Sequence, residues 1–236
     1  MSQLFDKWYY NLRNRMKTLK SLKAATLCVA VAALLAATTI ANAAELSAAE
    51  KSRLDTTGGA TLGATAVAMI DPATTPAAQL EKAKDIAAYI AKTKNPRFTP
   101  AAVAAMANLL KNTQGAVAAI TSAAIAATPN ATTSTVKAIV YEVVKAVPNE
   151  AVNVAVGVAQ VGVAQGRSEF ATSAAEAAVY ANPDSKATIL VTLSNLLPDL
   201  KTQLMTAVEA GASAAAAAAQ SNVTLPANPL NVSTSS

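Results

Sequence analysis

The sequence predicts an all-α protein, and three observations carry that prediction. Between Ala77 and Gln220, apolar residues recur at spacings of three and four within alanine-rich segments, the period of a helix with one buried face. Prolines or glycines separate these segments, as expected where helices start and stop. Only one stretch alternates like a strand, and no second stretch offers a mate to satisfy its backbone donors and acceptors. The expected architecture is seven or eight helices, packed as antiparallel hairpins in an irregular bundle or a short α-solenoid.

Residues 1–43 read as a secretory signal peptide. Six basic residues (Lys7, Arg13, Arg15, Lys17, Lys20, Lys23) precede an uncharged apolar run, Ala24 to Ile40, that ends in Ala41-Asn42-Ala43, which is the order of a basic region, an apolar region and a small-residue cleavage site. Cys28 follows Leu27 inside the run rather than after it, unlike a lipid-attachment cysteine. The run is rich in Ala and Thr and lies at the short end of what spans a bilayer, so cleavage is expected over anchoring.

Residues 44–76 are expected to form a flexible N-terminal arm. Glu45 to Asp55 has enough charge and helix formers for two or three turns, but Gly58, Gly59, Gly63, Asp71-Pro72 and Thr75-Pro76 follow and favour a linker. Residues 77–220 form the predicted Ala-rich helical domain. Its first helix carries Leu80, Ala83, Ile86, Ala87 and Ile90 on one face and closes at Asn95-Pro96. Thr99 is expected to cap the second, with Pro100 at the first helical position and Val103, Met106, Leu109 and Leu110 as its stripe. Gly115 to Ala127 carries Val117, Ile120, Ala124 and Ile125, and no charged residue occurs between Asn112 and Val136, so this helix is expected in the interior and not in a membrane.

The plainest stripe is Val136, Ile139, Val140, Val143, Val144 and Val147, with Lys137, Glu142 and Lys145 off it. Glu142 and Lys145 are three apart, close enough to pair for about 0.2–0.5 kcal/mol. Val152, Val154, Val156 and Val158 then alternate with smaller or polar residues. Read as a helix, the same segment sets Ala151, Ala155, Ala159 and Gly162 on one small-residue face, and helix is preferred. Helices around Ser168 to Ala181, Ser185 to Leu197 and Asp199 to Gln220 follow, the last two with stripes Ile189, Leu193, Leu196, Leu197 and Leu200, Leu204, Val208. Residues 221–236, rich in Ser, Asn, Thr and Pro, are expected to be a disordered tail.

Pro129-Asn130, Pro148-Asn149, Pro183-Asp184 and Pro198-Asp199 each place a capping-type residue between proline and an apolar-periodic run. The middle interval, from 148 to 183, is 35 residues, about two units with Gly166 at the intervening joint. Such spacing suits stacked helical hairpins. The stretch from Val136 to Pro148 resembles units of Ala-rich, Pro-punctuated helical-repeat proteins exported by bacteria. The likeness extends over residues 100 to 200 and implies no activity.

Composition removes several function classes. The chain has 19 basic and 14 acidic residues, but six bases and one acid (Asp6) lie in 1–43, leaving thirteen of each and no concentrated positive surface for nucleic acid. There is no His, and the single Cys (Cys28) and single Trp (Trp8) lie in the leader. The remaining chain therefore lacks the usual general base, a thiol nucleophile and the commonest transition-metal ligands. Glu142, Glu150, Glu169 and Glu176 are the carboxylates a glycosidase-type pair would need, yet each reads first as a solvated helix-surface charge. Gly162 to Gly166 with Arg167 and Ser168 echoes a phosphate loop but is one residue short and has Arg for Lys; Gly166 is better read as a helix C-cap and Ser168 as the next N-cap. No calcium-loop pattern occurs. Asn130, Asn222 and Asn231 fit glycosylation acceptors formally. Tyr141 and Tyr180 read as interaction anchors or as partly buried rings with the hydroxyl at the surface, the latter preferred.

The expectation is an exported, periplasmic or extracellular, non-enzymatic structural or scaffolding protein, with no cofactor, no metal and no catalytic residue. Self-association or a protein partner is expected, because alanine buries little area per residue. Nucleic acid is not an expected partner, and the processed chain is not expected to span a membrane. A helical module binding an apolar ligand or a partner helix is the alternative, and a carboxylate-dependent hydrolase a more distant one.

Overall fold

In the computed structural model, the described residues are 45–94 and 97–221. They form ten helices and no strand: α1 (Ala48–Thr56), α2 (Leu62–Ala68), α3 (Pro76–Thr93), α4 (Thr99–Leu109), α5 (Ala116–Ala127), α6 (Thr133–Ala146), α7 (Ala151–Ala164), α8 (Glu169–Ala181), α9 (Lys186–Leu196) and α10 (Lys201–Ser221). The expected signal peptide (1–43), the expected helix end at Asn95-Pro96 and the expected tail from 222 onward lie outside the described residues.

Residues 45–76 differ from the expected arm. Ser47 caps α1 in a reciprocal box with Glu50, whose amide donates to the Ser47 hydroxyl while its carboxylate accepts from the Ser47 amide at 2.8 Å, satisfying two of the free donors at a helix start. Leu46, Leu54, Leu62, Ala66 and Ile70 all enter the common core. Tyr89 Oη donates to Asp55 at 2.8 Å, and Lys94 Nζ to the Asp55 carbonyl at 2.7 Å. Widely spaced leucines, which make no dense stripe in the sequence, hold this segment down. The glycines serve close packing as well as turns: Gly63 sits against Ala101, Ala102 and Ala105.

Most predicted inward faces are buried. Val136, Ile139, Val140, Val143 and Val144 of α6 are fully covered, as are Ile86 and Ile90 of α3 and Val117, Ile120 and Ile125 of α5. The alternating valines are helical, in α7. Val154 and Val158, four apart, are buried alongside Ala151, Ala155, Ala159 and Gly162, while Val152 and Val156 are only partly covered. Two expectations fail locally. Leu109 is 46% exposed, since α4 ends there and Leu110 takes the inward position. Thr99 is the first residue of α4 rather than its cap, a place held by Phe98.

The helix joints explain the proline spacing. Val147, Asn182 and Leu197 have nearly the same extended conformation (φ −136°, −140° and −130°; ψ 74°, 86° and 69°), because a residue before proline is driven out of the helical region. Each still donates its amide to the helix behind, at 2.8–2.9 Å. The proline after it begins a 3₁₀ turn: Pro148–Glu150, Pro183–Ser185 and Pro198–Leu200. Asn149, Asp184 and Asp199 occupy the second position of these turns, and no side-chain cap bond is made at the turn or helix starts there, so the expected capping role is not taken. The Pro129 joint is different, with Asn130 in the left-handed region (φ 50°) and Thr132 accepting the Thr135 amide to cap α6.

Helices pack mainly on the second helix along the chain. α2, α4, α6, α8 and α10 form one succession of neighbours and α3, α5 and α7 another, with α7 and α8 the strongest contact between the two. α9 packs on α7, α8 and α10. Most long-range polar contacts follow the same rule, with sequence separations of 32 (Lys82–Glu50), 34 (Tyr89–Asp55, Asn182–Pro148), 36 (Arg167–Ala131) and 39 (Lys94–Asp55, Lys137–Glu176, Gln165–Ala126), whereas Lys186 and Glu209, 23 apart, join the consecutive helices α9 and α10. Asn182 Nδ2 donates to the Pro148 carbonyl at 2.9 Å, so two equivalent joints are bonded to each other.

Candidate functional site: a tyrosine-lined groove

The outward face of α6 carries Lys137, Ala138, Tyr141 and Lys145, because the valine stripe takes the opposite side. α8 lies beside it, and the 39-residue offset from Lys137 to Glu176 recurs from Tyr141 to Tyr180. Equal offsets mean that the two helices run parallel, with matching residues side by side. Lys137 Nζ meets Glu176 at 2.7 Å. One turn on, the Tyr141 and Tyr180 rings stack with centroids 5.1 Å apart and planes 22° apart, an arrangement worth about 0.5–1.5 kcal/mol beyond buried area. Lys145 Nζ lies 5.6 Å from the Tyr141 centroid, within reach of the ring's negative face. This is where Lys145 goes, rather than to Glu142.

α10 supplies the third wall. A Cβ on Gly211 would overlap the carbonyl oxygen of Glu176 and crowd the Tyr180 amide, so only glycine lets the two backbones approach this closely. The result is an open groove of about 340 Å³ bounded by Lys137, Ala138, Tyr141, Glu176, Ala177, Tyr180, Gly211 and Ala214. Its surface is mostly apolar and aromatic, and its two charges already pair with each other. Tyr180 is 37% exposed, so its ring is available to an incoming group. Among the described residues that line the groove, no nucleophile is set beside a base.

The four glutamates are not brought together. Glu169 is exposed and pairs with Arg167 at 3.0 Å; its carboxyl is held below the ordinary carboxylate range by a backbone amide hydrogen bond and then by that guanidinium. Glu176 pairs with Lys137 across to α6, and Glu150 accepts from Asn153 Nδ2 at 2.8 Å. Glu142 stands half-buried on α6. Glu169 and Glu176 are about 10 Å apart along α8 at 1.5 Å per residue, each with its own cation. Among the described residues, no group of three or more Cys, Asp or Glu side chains is placed to hold a metal ion, and no helix is long and apolar enough to cross a membrane.

The phosphate-loop echo is a helix terminus. The Arg167 amide donates to the Gly162 carbonyl at 2.7 Å and the Gly166 amide to the Val163 carbonyl at 3.1 Å, with Gly166 left-handed (φ 67°). Those are the two bonds of a Schellman C-cap. Ser168 stands at the N-cap position of α8 but its hydroxyl makes no cap bond. The Arg167 side chain is engaged by the fold, donating to the Ala131 carbonyl and lying 4.1 Å from the Phe170 ring centroid. Asn130 lies in the joint before α6; Asn222 and Asn231 are outside the described residues.

Sequence reasoning singled out both tyrosines but not their meeting, nor the contribution of α10. One available signal is the shared offset: Lys137 to Glu176 and Tyr141 to Tyr180 both span 39 residues. Compared with protein-family models, curated proteins and solved structures, the chain matches none.

Proposed function

We propose that this is an exported, non-enzymatic structural or scaffolding protein whose helical hairpins stack as a short α-solenoid. The observation that supports this reading is the similar separation, 32 to 39 residues, of side-chain contacts between helices two apart, together with the like joints at Pro148, Pro183 and Pro198. A chain built this way repeats a packing surface and exposes a long outer one, which suits holding other molecules in place. Export rests on residues 1–43: the basic stretch, the apolar run and Ala41-Asn42-Ala43. The alanine-dominated core favours support from a second copy or a partner protein.

Two measurements test the reading. N-terminal sequencing of the native protein from fractionated cells is expected to start at Ala44, in an exported fraction; a native chain retaining residues 1–43 in the cytosol would refute export. A melting temperature that rises with protein concentration is expected if copies associate, and a concentration-independent melt of a monomer would remove self-association.

The groove favours a second reading, a helical module that binds an extended or helical partner. Its mark is binding lost on replacing Tyr180 with Ala while melting is unchanged, whereas a purely architectural role leaves the groove without a ligand.

A further inference from the structure

The groove lies close to the point where the chain leaves the last helix. α10 packs on α8, with Gly211 beside Glu176 and Ala214 lining the groove with the tyrosine pair, and it continues to Ser221. Ser221 lies seven positions beyond Ala214, about 10 Å along the helix at 1.5 Å per residue. The residues that follow are Asn222-Val223-Thr224-Leu225-Pro226-Ala227-Asn228-Pro229-Leu230. An extended chain covers about 3.3 Å per residue, so Pro226 reaches about 16 Å from Ser221 and Pro229 about 26 Å. Both distances exceed the roughly 10 Å along the helix from Ser221 back to Ala214, which lines the groove.

The chemistry of this segment matches the groove. Residues 222–236 carry no charge, and the groove offers no unpaired charge to a ligand, since Lys137 and Glu176 satisfy each other. Pro226 and Pro229 are three apart with leucines on either side. Prolines at that interval lie on one edge of a polyproline helix, the form that docks into aromatic-lined grooves with little loss of chain entropy. Stacked Tyr141 and Tyr180 provide such a wall, and Ala138, Ala177, Gly211 and Ala214 leave room above the helix backbones.

We propose that Leu225 to Leu230 of the same chain docks on the Tyr141–Tyr180 groove, prolines against the rings, so that the groove is self-occupied and an external partner must displace the segment to bind. The inference is independent of export and of the solenoid reading; it needs only the groove and the reach from Ser221.

The full chain labelled with 3-fluorotyrosine tests it. The chain has five tyrosines, Tyr9, Tyr10, Tyr89, Tyr141 and Tyr180, whose fluorine resonances are assigned by single Tyr→Phe replacements. Replacing Pro226 and Pro229 together by Ser is expected to shift the Tyr141 and Tyr180 resonances and leave Tyr89 in place; unmoved Tyr141 and Tyr180 resonances would overturn the proposal. A benzoylphenylalanine photocrosslinker at Leu225, in a mixture of isotopically light and heavy full chains, is expected to link within one chain to the peptides holding Tyr141 or Tyr180. Its yield should fall several-fold with Tyr180→Ala. Links between light and heavy chains would reject self-occupancy and make a second copy the occupant, and links to neither tyrosine peptide would reject the groove altogether.

Discussion

α6 and α8 are adjacent, parallel and similar in length, yet they are buried in different ways. α6 covers one face with Val136, Ile139, Val140, Val143 and Val144 and turns Lys137, Tyr141 and Lys145 outward. α8 buries Phe170, Ala171, Ser173, Ala174, Ala175, Ala177, Ala178 and Val179, residues that lie nearly all round the helix, because α6, α7 and α10 each pack on it. Large branched residues mark a helix that turns one face to the core and leaves the opposite one outward. Alanines mark one that is hemmed in, where a larger side chain has nowhere to go. The second kind of burial is almost silent in the sequence, since alanine suits a solvent-facing helix equally well.

The difference predicts opposite mutational signatures. The largest effect is expected from truncation in α6: Ile139→Ala should cost about 2–5 kcal/mol in urea unfolding, from lost burial and the cavity left behind. In α8 enlargement is the damaging change. Ala178→Leu should cost about 1–3 kcal/mol by overpacking, and if it proves neutral, α8 is not enclosed as described. Gly211→Ala should cost a similar or smaller amount, because α10 must back away from the Glu176 carbonyl, and should also alter the Tyr180 environment in fluorine NMR.

An acid titration separates this packing from the polar contacts at the other end of the molecule. The Lys82 ammonium at 2.6 Å and the Ser47 amide lower the Glu50 carboxyl from 4.5 to about 2. A folded-state value below the unfolded one contributes stability above pH 4.5 that fades as pH falls towards 2. Asp85 acts in the opposite sense, since burial and then nearby Glu81 raise its carboxyl. The melting temperature of Glu50→Gln should therefore fall less than that of the parent between pH 4.5 and 2, with the Asp85 contribution common to both. The smallest effect, and a favourable one, is expected at Ser194 in α9, whose buried hydroxyl has no hydrogen-bond partner among the described residues. Ser194→Ala removes it and improves helix propensity, for a gain of about 0.5 kcal/mol, read as a small rise in melting temperature.

Much of the helix layout was legible because the signals are local. Proline before Asn or Asp, the Gly166 terminus and the three-and-four spacing in α3, α5 and α6 each report on a few neighbouring residues. The misreading of 45–76 has the same origin: Leu46, Leu54 and Leu62 are too far apart to form a stripe, and only their convergence on distant helices shows that they belong to the core. Leu109 was placed inward by its spacing, but the helix ended beneath it. Of the groove, Tyr141 and Tyr180 were visible as candidates, whereas the opening depends on Gly211, more than thirty residues farther along.

From the amino acids alone came the helical class, the positions of most joints and which side of the valine-rich helices turns inward. These are consequences of backbone sterics and side-chain periodicity acting over a single turn or two. Tertiary structure decided that each helix neighbours the one two along, that α8 is enclosed, and that two tyrosines 39 residues apart stack beside a glycine. Alanine surfaces are nearly interchangeable as packing partners, so pairing and register emerge only when all the helices compete for the same space.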